Sequence, residues 1–331
     1  MTTTTTTTTA TGGLAAEVIP PDEAALIQEF ISFLKQASER RHPSGPVRRF
    51  NQGRAAGCVD AEFTVLPDLA AEHRVGLFAS PKTYRAFIRF ANASSKSDRE
   101  KDVRGMAVSV SEAGRTNLTP GATTQDFVLN SHPVMVAPNT REFLALLRAL
   151  EAGGLKSVLY FATHPRAAFT GFASRQNPIS HLDIRYWSTT PYLFGAGRAV
   201  KYSVRPCSDR KSAMPPTLSD TYLADALRSH LQQADACFDF LIQFQKDPRR
   251  MPIEDATVEW KEEESPFIPV ARIRIPRQQV DAPGRAEACE ASAFNPWHAL
   301  AEHRPLGSMN RARKDIYREL SRFRHSRAGS K

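Results

Sequence analysis

Arg313 and Tyr317 are the residues whose types and spacing point most directly to chemistry. They lie four positions apart in the run Arg311-Ala-Arg-Lys-Asp-Ile-Tyr317, near the C-terminus. On a helix, residues four apart share one face, so the arginine would stack against the phenol. A nearby cation favours the ionised phenol, and a phenolate oxygen is a hard anionic ligand for a metal such as ferric iron. The pair alone also fits an ordinary surface contact, so the rest of the chain must supply the context.

The chain is strongly basic for its length. The 331 residues include 44 Lys and Arg against 35 Asp and Glu, a formal net charge of +9, and 41% are hydrophobic. Such a chain can bury a large core. Its cations are scattered outside residues 311–327, and no zinc-finger or RNP-type motif accompanies them, so we expect no nucleic-acid partner. Arginines inside a fold can instead neutralise an anionic ligand.

The cysteines and the hydropathy bear on the compartment. Cys58, Cys207, Cys237 and Cys289 are widely spaced, which favours free thiols in a reducing, cytoplasmic setting. No apolar run approaches the roughly 18 residues of a membrane span, so we expect no membrane partner. We expect residues 1–19 to form a disordered Thr-rich tail without secretory-signal features, residues 20–327 one domain, and residues 328–331 a second short tail.

The apolar periodicity predicts strands and helices that do not alternate regularly. Strands are expected at residues 58–66, 84–91, 106–111, 127–136, 257–260 and 269–276, with two more within residues 186–206. Helices are expected at residues 20–40, 140–150 and 219–246 and at the end of the chain, with residues 155–169 helical or irregular. This order indicates an α+β fold with antiparallel strands.

Seven short motifs follow one another in a recognisable order. They are Phe87-Ile-Arg89-Phe90-Ala-Asn92, Asp102-Val-Arg104-Gly105, Gln125-Asp126-Phe127, His132-Pro133-Val134, Phe267-Ile-Pro269, Phe294-Asn-Pro296-Trp297, and Arg313-xxx-Tyr317 with Arg322-Phe-Arg324. In this order the chain resembles the haem catalases over roughly residues 45–325, and in particular the short catalase-like proteins.

The resemblance implies a catalase-like eight-stranded antiparallel β-barrel surrounded by helices, with haem iron as the cofactor. Tyr317 matches the axial tyrosinate ligand to the metal, and Arg313 matches the arginine that keeps it ionised. Arg89 and Arg324 match arginines that pair with the haem propionates, and Arg49 matches a third.

The distal side departs from the family pattern. The position that matches the catalytic histidine is Gln52, or Asn51 or Gly53 after a shift of one residue. The position of the supporting asparagine is Ser131, whereas a shift of one would restore Asn130. Glutamine hydrogen-bonds but cannot shuttle a proton, and general acid–base catalysis is typically worth about 10²–10⁴-fold. Efficient dismutation of hydrogen peroxide is therefore not expected.

These observations predict a haem-dependent oxidoreductase. It would act on a small organic peroxide or an oxidised metabolite, with Gln52, Asn130 and Ser131 on the distal face. The alternative is a non-catalytic pseudo-catalase, either haem-binding or haem-free. The sequence is also compatible with a homo-oligomer. His298, His303 and His325 are interpreted as structural residues, because their spacing does not suit a zinc helix.

Overall fold

The core of the molecule is a closed antiparallel β-barrel. The computed structural model describes residues 13–93, 97–114, 116–208, 212 and 217–328. Its strands are β1 (Arg54–Val65), β2 (Thr83–Asn92), β3 (Arg104–Val110), β4 (Gln125–Asn130), β5 (Tyr186–Trp187), β6 (Tyr192–Leu193), β7 (Ala199–Pro206), β8 (Ala236–Phe244) and β9 (Ile268–Ile275). They pair in the order β5-β4-β3-β2-β1-β9-β8-β7-β6, and β5 also pairs with β7. This last pairing closes eight strands into a barrel, as the resemblance predicted, and leaves β6 beside β7.

The barrel interior is packed with aromatic side chains. Phe127 and Phe240 lie 4.7 Å apart between ring centroids, and Tyr202 lies 5.0 Å from Phe127. Side chains alternate across a strand, so the neighbours of these inward residues point outward. On β2, β3 and β4 the outward positions include Arg89, Ala107, Val128 and Asn130, which line a cavity outside the barrel.

Helices pack outside the barrel. They are α1 (Glu23–Arg41), α2 (Thr140–Ala152), α3 (Gly154–Thr163), α4 (Pro165–Ala173), α5 (Tyr222–Gln233), α6 (Arg285–Ala291) and α7 (Ser308–Ala328). Apolar residues of α1, α2 and α7 form a second cluster, which includes Phe30, Leu144 and Ile316. Within the described ranges, no helix is both long and apolar enough to cross a bilayer.

The first turn of α7 is anchored by carboxylates. Arg311 pairs with Glu17, Glu23 and Glu254 at 2.6–2.8 Å, and Glu17 also pairs with Arg304. Glu17 belongs to the segment expected to be a disordered tail, of which residues 1–12 lie outside the described residues. These ion pairs fix the start of α7 against the segments that carry the three glutamates.

Two predicted elements are wrong. Residues 219–246 do not form one helix, because α5 ends at Gln233 and the strand β8 begins at Ala236. The apolar residues of β8 are buried on both faces, so their pattern could not distinguish a strand from a helix. Residues 257–260 form turns and irregular backbone rather than a strand, and there the Val258 carbonyl accepts a hydrogen bond from Lys201 Nζ.

The prediction of free cysteines is also wrong. Cys58 on β1 is bonded to Cys289 on α6, and Cys207 is bonded to Cys237 on β8. The pairing of β7 with β8 brings Cys207 to Cys237, and the packing of α6 on β1 brings Cys289 to Cys58. These cysteines are 30 and 231 residues apart in sequence, so linear spacing could not reveal their proximity. The argument for a reducing compartment rested on free thiols and therefore loses its support.

Candidate ligand site

One large cavity lies between the outward face of β2–β4 and the layer formed by α1, α2 and α7. Its volume is about 1200 Å³. This exceeds the roughly 300–1,000 Å³ of most small-molecule sites. Its walls are mainly apolar and include Phe50, Val128, Phe143 and Phe294, while polar side chains are gathered at a few places. The cavity brings together most of the residues that the sequence singled out.

The α7 side of the cavity carries Tyr317 and Arg313. Tyr317 is half-buried, lines the cavity and packs against the cluster of α1, α2 and α7. Arg313 lines the same cavity, and its Nη1 donates to Thr190 Oγ1 at 3.0 Å and to Asn310 Oδ1 at 2.9 Å. Asn310 is fully buried and donates to the Pro191 carbonyl, which fixes the guanidinium beside the face that carries Tyr317.

Three arginines converge at one end of the cavity, around a glutamate that the sequence did not predict. Glu290 on α6 accepts from Arg49 Nη1 at 2.9 Å, and its carboxylate lies 3.7 Å from Arg89 and 3.8 Å from Arg324. Burial, and then the neighbouring Arg89 and Arg324, lower the pKa of Arg49 to about 9, so it stays charged at neutral pH. The three arginine cations and the one Glu290 carboxylate together leave two positive charges at this end of the cavity.

The arginine cluster retains unused hydrogen-bonding capacity. Arg89 is 4% exposed, and its Nε and Nη2 have no hydrogen-bond partner within the described part of the chain. Buried donors without an acceptor are costly, so such a site favours an added anionic group. Arg49 and Arg324 also donate to backbone carbonyls of residues 289–292, which attaches α6 to the cluster.

Gln52 and Asn130 meet on the barrel side of the cavity. Gln52 Nε2 lies 3.5 Å from Asn130 Oδ1, and the buried Gln52 Oε1 has no hydrogen-bond partner in the described ranges. The backbone of Gln52 has a positive φ of 55°, and its N–H donates to the Ala93 carbonyl. Gly105 lies beneath it, where a Cβ would come within 2.3 Å of Gln52 Oε1, so a larger residue at 105 would require the Gln52 amide to shift.

Ser131 does not join this pair. Its buried Oγ accepts a hydrogen bond from the Arg104 N–H at 2.9 Å, and its own N–H donates to the Arg104 carbonyl. Asn130 ends β4 with its side chain on the cavity face, and the next residue points away because side chains alternate along a strand. The structure therefore places Asn130 at the cavity, which agrees with the sequence alignment shifted by one residue. Ser131 instead joins the end of β4 to β3 through its hydrogen bonds with Arg104.

No protein-family model matches this chain, and no curated protein matches it. Two solved structures of catalases are similar to this chain. A structure described as that of a bacterial catalase superposes with a TM-score of 0.66 at 16% identity, over 94% of this chain and 63% of that one. A fungal catalase crystal structure gives 0.65 at 14% identity, over 93% and 64%. The chain has a catalase-like fold. It spans under two thirds of the length of these catalases, and at such identity the likeness concerns the fold alone.

In this catalase-like fold the histidines have separate surroundings. His298 lines the cavity and its Nδ1 lies 2.8 Å from the buried Asp126, and His132 lines the cavity beside Asn130. His303 is fully buried, and its Nε2 accepts the Leu77 N–H at 3.0 Å. No cluster of three or more His, Cys, Asp or Glu side chains suited to a metal ion occurs among the described residues.

Proposed function

We propose that the cavity binds haem, and that Tyr317 would be the residue that holds the iron. The observation that carries the proposal is the shared cavity. Tyr317 lines its helical side, and the cluster of Arg49, Arg89 and Arg324 with two uncompensated charges lies at one end. A tetrapyrrole with two carboxylates complements that charge, and Arg89 Nε and Nη2, which have no hydrogen-bond partner among the described residues, would donate to those carboxylates.

The side chains around Tyr317 suit this role. Arg313 is held by Thr190 and Asn310 and lines the same cavity as Tyr317, where its positive charge would support ligation by the tyrosine oxygen. The apolar walls would exclude water from the bound group. Haem would supply iron redox chemistry toward peroxides, and the chain would contribute ligation, orientation and charge.

The distal residues lack the proton-transfer group that dismutation of hydrogen peroxide needs. Gln52 Oε1 accepts no hydrogen bond from the described residues and could hold the O–H of a hydroperoxide, with Asn130 beside it. Neither amide can carry a proton from one oxygen to the other, which limits dismutation. The function best supported is therefore a haem-dependent oxidoreductase that acts on a small organic peroxide or an oxidised metabolite.

One observation favours a second candidate, a pseudo-catalase that retains the barrel without catalysis. Glu290 already supplies a carboxylate to the three arginines, so part of the charge that would hold haem is neutralised within the chain. A haem-free protein would keep its arginine cluster stable in this way.

Haem titration of the full chain separates these candidates. The expected result is a Soret band at one haem per chain that Tyr317→Phe shifts or abolishes. Tyr160→Phe is the matched control, because Tyr160 lies on α3 and stacks on His164. The loaded protein should then turn over cumene hydroperoxide faster than it evolves oxygen from hydrogen peroxide. Absence of a Soret band would favour the haem-free candidate. A Soret band that is the same in Tyr317→Phe as in the native chain would show that Tyr317 does not ligate the iron.

A further inference from the structure

Helices α3 and α4 present an apolar face to solvent. We define the α3–α4 face by five exposed hydrophobic side chains of these helices and one at the adjoining end of α2: Leu155, Val158, Leu159, Phe169 and Phe172, with Leu150, whose exposed fractions run from 48% to 82%. Leu155, Val158 and Leu159 are spaced i, i+3 and i+4, as are Phe169 and Phe172 at i and i+3, so each set shares one side of its helix.

This exposure differs from that of the other helices around the barrel. In α3, ten residues with the sequence Gly-Leu-Lys-Ser-Val-Leu-Tyr-Phe-Ala-Thr, no residue is buried, although more than half of them are apolar. By contrast, α1 buries Leu26, Phe30 and Leu34. Large contiguous apolar surface on a folded chain marks an interaction site. Singly scattered exposed leucines would need no such explanation.

The charges on this segment are all of one sign. Residues 152–175 contain Lys156, Arg166 and Arg175 and no Asp or Glu. The preceding acid, Glu151, is paired with Arg41 at 2.6 Å. A two-fold dimer would bring the same patch onto itself and oppose cation to cation. An anionic lipid surface attracts these cations and accepts the apolar side chains between them.

The α3–α4 face is continuous with the mouth of the cavity. Leu150 and Phe172 belong to both the exposed set and the cavity lining, and Phe161 of α3 and Ala168 of α4 also line the cavity. A molecule dissolved in the lipid surface could therefore reach the cavity along apolar side chains without crossing water.

We propose that the α3–α4 face binds the surface of a bilayer rich in anionic phospholipid, and so opens the cavity toward apolar substrates in that bilayer. The binding is peripheral. The sequence predicted no membrane partner because it holds no spanning segment, but a surface contact needs none. The proposal does not depend on haem, because neither the face nor its test involves Tyr317 or the arginine cluster.

Co-sedimentation of the full chain with vesicles tests the proposal. The probe is vesicles of equal parts phosphatidylglycerol and phosphatidylcholine, compared with pure phosphatidylcholine. We expect binding to the first, stronger than to the second and weakened by salt. The double variant Leu155→Ser/Leu159→Ser should weaken it about tenfold per leucine. Lys156→Glu should weaken it about thirtyfold, because each cation near such a surface contributes about 1 kcal/mol.

Val18→Ser/Ile19→Ser is the matched control, because these two side chains are each 63% exposed but lie outside the α3–α4 face. It should bind as the native chain does. Thermal unfolding should be unchanged in every variant, since all the altered side chains are exposed. Absence of vesicle binding by the native chain, or equal binding by the leucine and control variants, would overturn the proposal. So would a dimer in solution that only the leucine variant dissociates, because the face would then serve self-association.

Discussion

Arg49 donates a hydrogen bond from Nη1 to Glu290 Oε2 at 2.9 Å, across 241 residues of sequence. Arg89 and Arg324 face the same carboxylate at 3.7 and 3.8 Å. The cluster that would hold an anionic ligand thus already contains one anion, which comes from the chain itself. Glu290 therefore stabilises the buried guanidinium groups of Arg89 and Arg324 and the half-buried one of Arg49, and would compete with an incoming carboxylate.

Glu290→Gln should raise the affinity for haem. Removing one negative charge beside three arginines should strengthen binding of a dianionic ligand by about tenfold, since charges several ångströms apart interact appreciably near a protein surface. Titration of the full chain with haem, followed by absorbance, measures the effect. Glu287→Gln, an exposed change on the same helix, should leave the affinity unchanged. A loss of affinity in Glu290→Gln would mean that this carboxylate positions the arginines rather than competes.

Gln52→His should introduce peroxide dismutation. A histidine at this place can both accept and donate a proton, and we expect a gain of up to about 100-fold in oxygen evolution by the haem-loaded protein. Histidine tolerates the positive φ of 55° found at this residue better than most side chains do. Gln52→Leu is the control without proton chemistry. Equal rates in the two variants would mean that residue 52 does not face the bound peroxide.

Ser131→Ala should mainly change the stability of the fold, whereas Asn130→Ala should mainly change peroxide turnover. Ser131→Ala leaves the Arg104 N–H buried without its acceptor, and should lower the free energy of unfolding by about 1–3 kcal/mol. Asn130→Ala removes only the long contact to Gln52 and should cost less than about 1 kcal/mol while it changes peroxide turnover. Urea unfolding and hydroperoxide turnover distinguish them. If Ser131→Ala lowered turnover and Asn130→Ala did not, Ser131 rather than Asn130 would be the residue that contacts the bound peroxide.

The stability of the fold should fall below pH 6.5. Burial, with Arg104 nearby, lowers the pKa of His181 to about 3, and burial lowers the pKa of His303 to about 4. Between these values and about 6.5 the unfolded chain binds protons that the folded chain does not, so stability decreases as pH falls. The slope should approach about 1.4 kcal/mol per pH unit for each histidine.

Urea unfolding at pH 7, 6 and 5 measures this slope. His303→Gln, which keeps an acceptor for the Leu77 N–H, should roughly halve it. His325→Gln should leave it unchanged, because that side chain is exposed at the end of α7. A pH-independent free energy of unfolding would show that neither histidine is buried in solution.

The sequence by itself determined the parts that depend on local pattern. Strand alternation predicted β1 to β4 and β9, and helical spacing predicted α1, α2 and α7. The resemblance carried by the ordered motifs implied the barrel and singled out Tyr317, Arg313, Arg49, Arg89 and Arg324, all of which line one cavity in the structure. Apart from Arg49, each of these residues belongs to a short motif that can be recognised from a few neighbouring positions.

Only the tertiary structure decided the rest. Glu290 has no motif, and it reaches the arginines because α6 is attached to β1 through Cys289 and Cys58. The choice between Asn130 and Ser131 depended on strand register, since a shift of one residue reverses the face of every side chain. The exposed face of α3 and α4 could not be foreseen either, because an apolar helix has the same sequence pattern whether it is covered or not.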